Sequence, residues 1–447
     1  MANKQTGKIS FQTASSIVIA NMIGAGVFTS LGFQIGGGIE SVFPLIMLWV
    51  VGGVIALCGA LSYGELAGMM PRSGGEYHYL SEIYHPAVGF LSGWISMTVG
   101  FAAPVAAAAV ALGKYAQSVF PVLNATVLGV IVVLLLTFIH ASDLKAGSIF
   151  QNISTSVKLG LIVFFSFCGL FFIGDSQPIS VLPKPGDQNL IFGSSFAVSL
   201  IFVSYAYSGW NASAYLAGEI DNPKKNVPRS LFFGTLIVML TYVVLNFVFL
   251  YTVPTADLKG QLEIGYISAN HIFGPTFGGF MGMMIALLLV SSISSMIFAG
   301  PRVTQVMGED IPLLKRLAFK SKKELPVTAI ILQAVISIIL ILSASFDSII
   351  KYVGFTLSLF TFMTVLGVFV LRITRPHAER PYKAWGYPLT PLIFLALTGW
   401  TLFYLLQGKE SRTESLYGLG TVLLGLLIFL LDRAINGDTN KKSSHSA

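Results

Sequence analysis

Charge is what this chain has least of. Asp, Glu, Lys and Arg together make up 11% of its 447 residues, where a soluble domain carries about 25%. Apolar residues make up 54%, so a soluble fold is excluded and a polytopic membrane protein is expected. Cysteine is nearly absent. Cys58 and Cys168 both fall inside apolar stretches, which rules out a disulfide framework or a zinc spacing and leaves two small buried hydrophobes. There is no Walker-type phosphate loop, no His-Glu-x-x-His and no cluster of metal-ligating residues, and the six histidines are scattered. No metal, cofactor or enzymatic chemistry is therefore expected. No cleavable signal peptide is expected either, because the first apolar stretch runs on through Phe33 without a small-residue cleavage site. The net charge of +7 reports topology rather than nucleic-acid binding.

What is present is a succession of apolar runs of about 20 residues, the length that crosses a bilayer core. Twelve are expected, at 11–34, 42–70, 86–112, 124–141, 147–173, 190–219, 228–253, 271–298, 326–346, 349–371, 386–406 and 415–435. They form a single transmembrane domain over 1–435, and the polar tail 436–447 reads as disordered. An even number of spans puts both termini on one side. Of the 27 Lys and Arg residues, twenty fall at the termini and in the even-numbered breaks. Six fall on the opposite side, and Lys158 lies within a span. Lys and Arg accumulate on the cytoplasmic side, so both termini are expected there.

Two spans are interrupted. The first contains Ile23-Gly24-Ala25-Gly26 and the sixth contains Tyr207-Ser208-Gly209-Trp210-Asn211. Glycine loosens a helix, and a loosened backbone at membrane depth is tolerated only against a cavity or buried in protein. Spans one to five cover 11–173 and spans six to ten cover 190–371. Each half opens with a broken helix, and because five is odd the second half must be inserted upside down. That is the inverted-repeat plan of transporters, with the ligand site at the breaks. The last two spans, over 386–435, lie outside it.

At the first break, backbone N–H groups and the positive end of a half-helix make a carboxylate site without a cationic side chain. Gly24 and Gly26 would let a ligand approach closely; a plainer reading is that they allow tight helix packing. The carbonyl of Ile23 and those freed at the second break could accept from an ammonium group. Carboxylate and ammonium sites side by side describe an α-amino acid. Tyr205 reads as an aromatic lid or as a packed aromatic, and Trp210 as packing. Neither break carries an acidic residue in sequence, which points to neutral substrates.

Lys158 lies in span five. An intramembrane lysine costs about 2.5–3.5 kcal/mol on insertion scales, so it should face the bundle interior and have partners. Span eight offers Ser291, Ser292, Ser294 and Ser295. The alternative is snorkelling to the interface. Glu65, near the end of span two, reads as a capping or interfacial residue.

Several segments carry a family resemblance: Met22-Ile23-Gly24-Ala25-Gly26-Val27-Phe28, Tyr63-Gly64-Glu65-Leu66, Pro71-Arg72-Ser73-Gly74-Gly75-Glu76-Tyr77, Tyr207-Ser208-Gly209-Trp210-Asn211, Gly218-Glu219-Ile220-Asp221-Asn222-Pro223-Lys224-Lys225-Asn226-Val227-Pro228-Arg229 and Arg380-Pro381-Tyr382-Lys383. With these, the chain resembles the amino acid–polyamine–organocation (APC) superfamily, and within it bacterial relatives of the L-type amino acid transporters. The resemblance implies an all-α LeuT-type fold, with a 5+5 inverted repeat and discontinuous helices one and six. It implies that Gly24, Ala25 and Gly26 meet the substrate carboxylate. The amine would meet carbonyls of Ile23 and of the stretch Tyr205, Ala206, Tyr207 and Ser208, with Tyr205 as the gate. Lys158 would replace a bound sodium ion, with a serine partner among Ser291, Ser292 and Ser295. Eukaryotic L-type members use a cysteine in the loop matching 113–124 to link a glycoprotein subunit. This chain has none there, so no disulfide-linked glycoprotein subunit is expected.

The expectation is a plasma-membrane, sodium-independent exchanger of small or medium neutral L-amino acids. Proton-coupled symport through Lys158 and polyamine or cationic amino acid antiport are the rivals. A channel would need a charged or carbonyl-rich filter repeated by symmetry.

Overall fold

The computed structural model describes residues 9–72, 74–142, 145–321, 325–409 and 411–437, without the side chains of 145–156. Of the tail 436–447 expected to be disordered, Asn436 ends a helix, and residues from 438 onward lie outside the described residues. Among the described residues the regular structure is helical, apart from one isolated β-bridge between Ile9 and Ile220. In order the helices are α1 (Phe11–Met22), α2 (Gly26–Gly36), α3 (Val42–Met69), α4 (Gly75–Ile83), α5 (Pro86–Ile95), α6 (Ala102–Val119), α7 (Ala125–Ser142), α8 (Lys145–Phe171) and α9 (Asp187–Ile191). The remainder are α10 (Ser194–Tyr207), α11 (Ala212–Tyr215), α12 (Pro223–Thr252), α13 (Thr255–Leu258), α14 (Ile264–Asp310), α15 (Val327–Ser343), α16 (Phe346–Thr374), α17 (Leu389–Gln407) and α18 (Arg412–Asn436).

Nine helical stretches among the described residues are long and apolar enough to cross a membrane, counting α1 with α2 as one and the run Pro86–Val119 as another. Three shorter apolar helices accompany them: Val157–Phe171, Ser194–Tyr207 and Val327–Ser343. The outside of the bundle is apolar. Phe138, Phe171, Phe277 and Leu342 are all more than 65% exposed, as expected where lipid rather than water is the solvent. The inside is tight and rich in tyrosine: Tyr63, Tyr79, Tyr115, Tyr207 and Tyr242 are fully buried.

The centre is built by a few close pairings. α3 runs against α12, α6 against α14, and α1 against α12, while α10 packs on both α2 and α3. Small residues set these distances. A Cβ on Gly234 of α12 would lie 2.8 Å from the Val18 side chain, and one on Gly52 would meet Val203 at 2.2 Å. Two irregularities were not expected. The run expected at 86–112 contains a π-helical turn at Ser96–Gly100. The helix expected at 271–298 extends over Ile264–Asp310 and changes direction at Gly274, whose φ of 77° only glycine adopts readily.

Candidate functional site: two helix breaks and a buried lysine

The first break is present where the glycines placed it. α1, whose N-terminus Ser10 caps, ends at Met22. Ile23 is extended, with φ −75° and ψ 95°, and α2 begins at Gly26. The first N–H groups of α2 have no acceptor within their own helix, and they lie at its positive end. Two buried tyrosines fix carbonyls on either side: Tyr242 donates to Met22 at 2.7 Å, and Tyr115 donates to Phe28 at 2.7 Å.

The second break begins after Tyr207. Ser208 is extended, with ψ 147°, Gly209 has φ 95°, and helix resumes only at Ala212. Gly209 is needed twice over. Its φ excludes most side chains, and a Cβ there would lie 2.8 Å from the backbone carbonyl of Asn21. The two breaks therefore touch, backbone against backbone, at the end of α1.

The two glycines of the first break have different tasks. A Cβ on Gly24 would meet nothing within 4 Å, so its face opens onto free space. A Cβ on Gly26 would lie 2.5 Å from Ala206 Cα and 2.7 Å from Ala206 Cβ. Gly26 allows α2 and α10 to pack, which is the plainer of the two readings; Gly24 is the one that leaves room. Ala206 correspondingly forms the other side of that contact. Ala25 is buried, and its carbonyl accepts from Thr29 and Phe28.

Lys158 is 2% exposed and does not snorkel. Its Nζ donates to the Ile23 carbonyl at 3.2 Å and to Ser292 Oγ at 2.8 Å. The lysine thus ties α8 and α14 to the first break. Of the candidate serines, Ser292 alone reaches it. Ser295 donates to the Ser292 carbonyl at 2.9 Å, and Ser294 pairs with His140 Nε2 at 2.8 Å. The Ser291 hydroxyl is buried with no partner among the described residues.

The tyrosines also divide. Tyr205, 7% exposed, sits in the last turn of α10 above Ser208, whose N–H donates to its carbonyl at 3.0 Å. Tyr207 turns away from the gap: its hydroxyl donates to the Trp49 carbonyl at 3.0 Å and its ring lies 5.1 Å from that of Tyr242. Its side chain braces α10 against α3 and α12. Trp210 packs edge-on to Tyr63, with ring centroids 4.7 Å apart.

Two carboxyl groups depart from expectation. Glu65, expected as a capping or interfacial residue near the end of its span, is 1% exposed. Arg372 donates to both of its oxygens, at 3.0 and 2.7 Å, Arg380 Nε lies 3.4 Å away, and the Ala384 N–H donates at 2.8 Å. It clamps α3 to the end of α16 and the segment beyond. Glu76 corrects the expectation that no acidic group stands at either break. It lies on α4, outside the membrane-spanning helices, yet its Oε1 accepts from Asn211 Nδ2 at 3.1 Å and from Tyr63 at 2.6 Å. In sequence it is an acidic residue in the first turn of a short helix, a common place for a solvated one.

With this geometry in place, comparison with known proteins is decisive. Residues 9–428 match the amino acid permease family. The chain belongs to that family, within the APC superfamily. It is 28% identical over 430 residues to the b(0,+)-type amino acid transporter 1 of Mus musculus, covering 93% of this chain and 85% of the relative. The Homo sapiens protein of the same name is 28% identical over 439 residues, covering 96% and 88%. The large neutral amino acids transporter small subunit 2 of Mus musculus is 28% identical over 434 residues, covering 95% and 80%. These relatives are transporters, not enzymes, and this permease is a multi-span protein of an amino acid transport family.

One expectation falls with these matches. A relative named a small subunit is by name part of a larger transporter, so the expectation that no disulfide-linked glycoprotein subunit is involved is overturned.

Proposed function

We propose that this permease exchanges small or medium neutral L-amino acids across the plasma membrane by alternating access and without sodium. The reading has twelve spans in a LeuT-type 5+5 inverted repeat, with both termini in the cytoplasm. The observation that carries it is the placement of Lys158 Nζ between the Ile23 carbonyl and Ser292 Oγ. A fixed ammonium there repels a second cation strongly in a low-dielectric site, and it gives the broken helix a charge partner of its own.

The substrate carboxylate meets the N–H groups around Gly24, Ala25 and Gly26, on the open side of Gly24. The amine meets the Ile23 carbonyl and carbonyls of 205–208, with Tyr205 closing over it. Glu76 Oε1 is held by Tyr63 and Asn211, and Glu76 lies outside the membrane-spanning helices, which supports a neutral rather than a cationic side chain. The names of the relatives support amino acids as the substrate, and that of the large neutral amino acids transporter small subunit 2 supports neutral side chains.

The test is uptake into liposomes holding the purified protein. Exchange requires amino acid inside, and its initial rate stays the same when sodium is replaced by choline. Accumulation driven by a pH gradient alone, into liposomes without amino acid, would establish proton symport instead. A steep sodium dependence would overturn the role given to Lys158.

A further inference from the structure

Glu76 is a buried carboxyl at the second break that the transport reading leaves without a task. It is 4% exposed, and it sits where three parts of the chain converge: α3 through Tyr63, its own α4, and the second break through Asn211. Its surroundings are closed by aromatic groups. Tyr63 stacks edge-on against both Tyr79 and Trp210. Tyr215 of α11 lies so close that a Cβ on Gly75 would be 2.3 Å from its ring.

Charge compensation is missing. Among the described residues, the groups that face Glu76 are Tyr63, Tyr79, Asn211 and Tyr215. α5 carries no charged side chain along its length. α16 places Thr364 beside Tyr63, while its Arg372 is bound to Glu65 and its Lys351 to Asp347. On α14, Asp310 accepts from Tyr77 at 2.8 Å, and His78 lies by Arg72 and Glu82 instead. A carboxylate buried without a cation is disfavoured. Both donors converge on Oε1, and Oε2 has no donor among the described residues. An acid with its proton on Oε2 fits this arrangement, with Oε1 as the accepting carbonyl oxygen.

We propose that Glu76 is a positioning residue for transport, a latch that holds Asn211 of the second break against Tyr63 when neutral and lets the break separate when it ionises into water. The proposal rests on the reading above, in which the second break rearranges during transport. Burial pushes the Glu76 carboxyl up from the ordinary 4.5 to about 7, and the hydrogen bonds from Tyr63 and then Asn211 hold it back from going higher. A group that titrates near 7 when latched and near 4.5 when hydrated makes the latched state lose ground as pH rises between those values. Above about 7 both states are ionised and the preference is flat.

The experiment is hydrogen exchange by mass spectrometry on the full-length protein, following amides 208–219 and correcting for the intrinsic pH dependence of exchange. In the wild type, opening of this segment should rise at least about threefold between about pH 5 and 7 and then level off; one linked proton allows at most about tenfold per pH unit. Glu76→Gln keeps an oxygen acceptor but cannot ionise, and its opening should be flat. Tyr63→Phe removes a donor that favours the ionised form, so its plateau should begin at higher pH. An unchanged pH response in Glu76→Gln, or a flat wild type, overturns the latch. If Glu76→Gln does not fold, a Tyr63→Phe plateau at the wild-type position does the same. Exchange of amino acids in liposomes is measured alongside. Should no amino acid be transported while segment opening still follows Glu76, the transport reading fails and the latch stands.

Discussion

Lys158 and Ser292 meet at 2.8 Å across the interface of α8 and α14, and the same ammonium reaches the Ile23 carbonyl at 3.2 Å. Replacing Lys158 with Ala removes both bonds and leaves their acceptors buried, at about 1–3 kcal/mol per unsatisfied group. The expected outcome is a sharp loss of transport with a lowered melting temperature. Ser292→Ala keeps the bond to Ile23, so its loss should be smaller, about 1.5–3 kcal/mol for one bond to a charged group. Ser291→Ala and Ser295→Ala should preserve the lysine's contacts and lie close to wild type. Thermal melting and exchange rates of the four variants check the order.

Gly24 and Gly26 should separate binding from folding. Gly24→Ala adds a methyl to open space, so the protein should melt within about 1 kcal/mol of wild type while its amino acid affinity falls. Gly26→Ala drives a methyl into Ala206, an overpacking that costs about 1–3 kcal/mol. A protein with Gly24→Ala that binds amino acids as tightly as wild type would move the carboxylate site elsewhere. Melting curves with and without amino acid measure both quantities, since a ligand of the folded state raises its stability.

Glu65 offers a test free of any functional assumption. Removing one partner of a buried ion pair costs about 3–5 kcal/mol because the other charge stays buried. Glu65→Ala should therefore be strongly destabilised. Arg372→Ala should be less so, because Arg380 and the Ala384 N–H remain beside the carboxylate. The comparison is read from thermal unfolding of the two variants.

Gly75 should tolerate no substitution. Its φ is 53°, and a Cβ would sit 2.3 Å from the Tyr215 ring. Gly75→Ala should displace Tyr215 and loosen α4 from α11, seen as faster hydrogen exchange in 75–83 and 211–215.

The breaks were legible because glycine inside an apolar run is a conflict that only a cavity or a close contact resolves, and Lys158 was legible for the same reason. Which glycine faces the gap was not legible. Gly24 and Gly26 are two residues apart, about 200° around a helix at 3.6 residues per turn, and the facing element, Ala206, comes from 180 positions further on in the chain. Ser291, Ser292, Ser294 and Ser295 spread over about 160° of one helix at 3.6 residues per turn, so only the packing of α14 selects Ser292. Glu76 was hidden differently. Nothing near it in sequence is unusual for a solvated acid, and its burial comes from Tyr63 on the preceding helix and from Asn211, which is distant along the chain. The apolar pattern gave Glu65 as a capping or interfacial residue but not its partners, because Arg372 and Arg380 come from far along the chain.

The close approach of Gly209 to Asn21 leaves no slack between the inner ends of the two broken helices. A gap that a single methyl group cannot enter transmits displacement as a gear tooth does. The segment Phe11–Met22 and the segment from Gly209 to Tyr215 should then travel as one body, and a spectroscopic label on either should report the same trajectory. Distances between two such labels would hold steady while both change relative to α16, so a single well-placed reporter suffices to follow the pair.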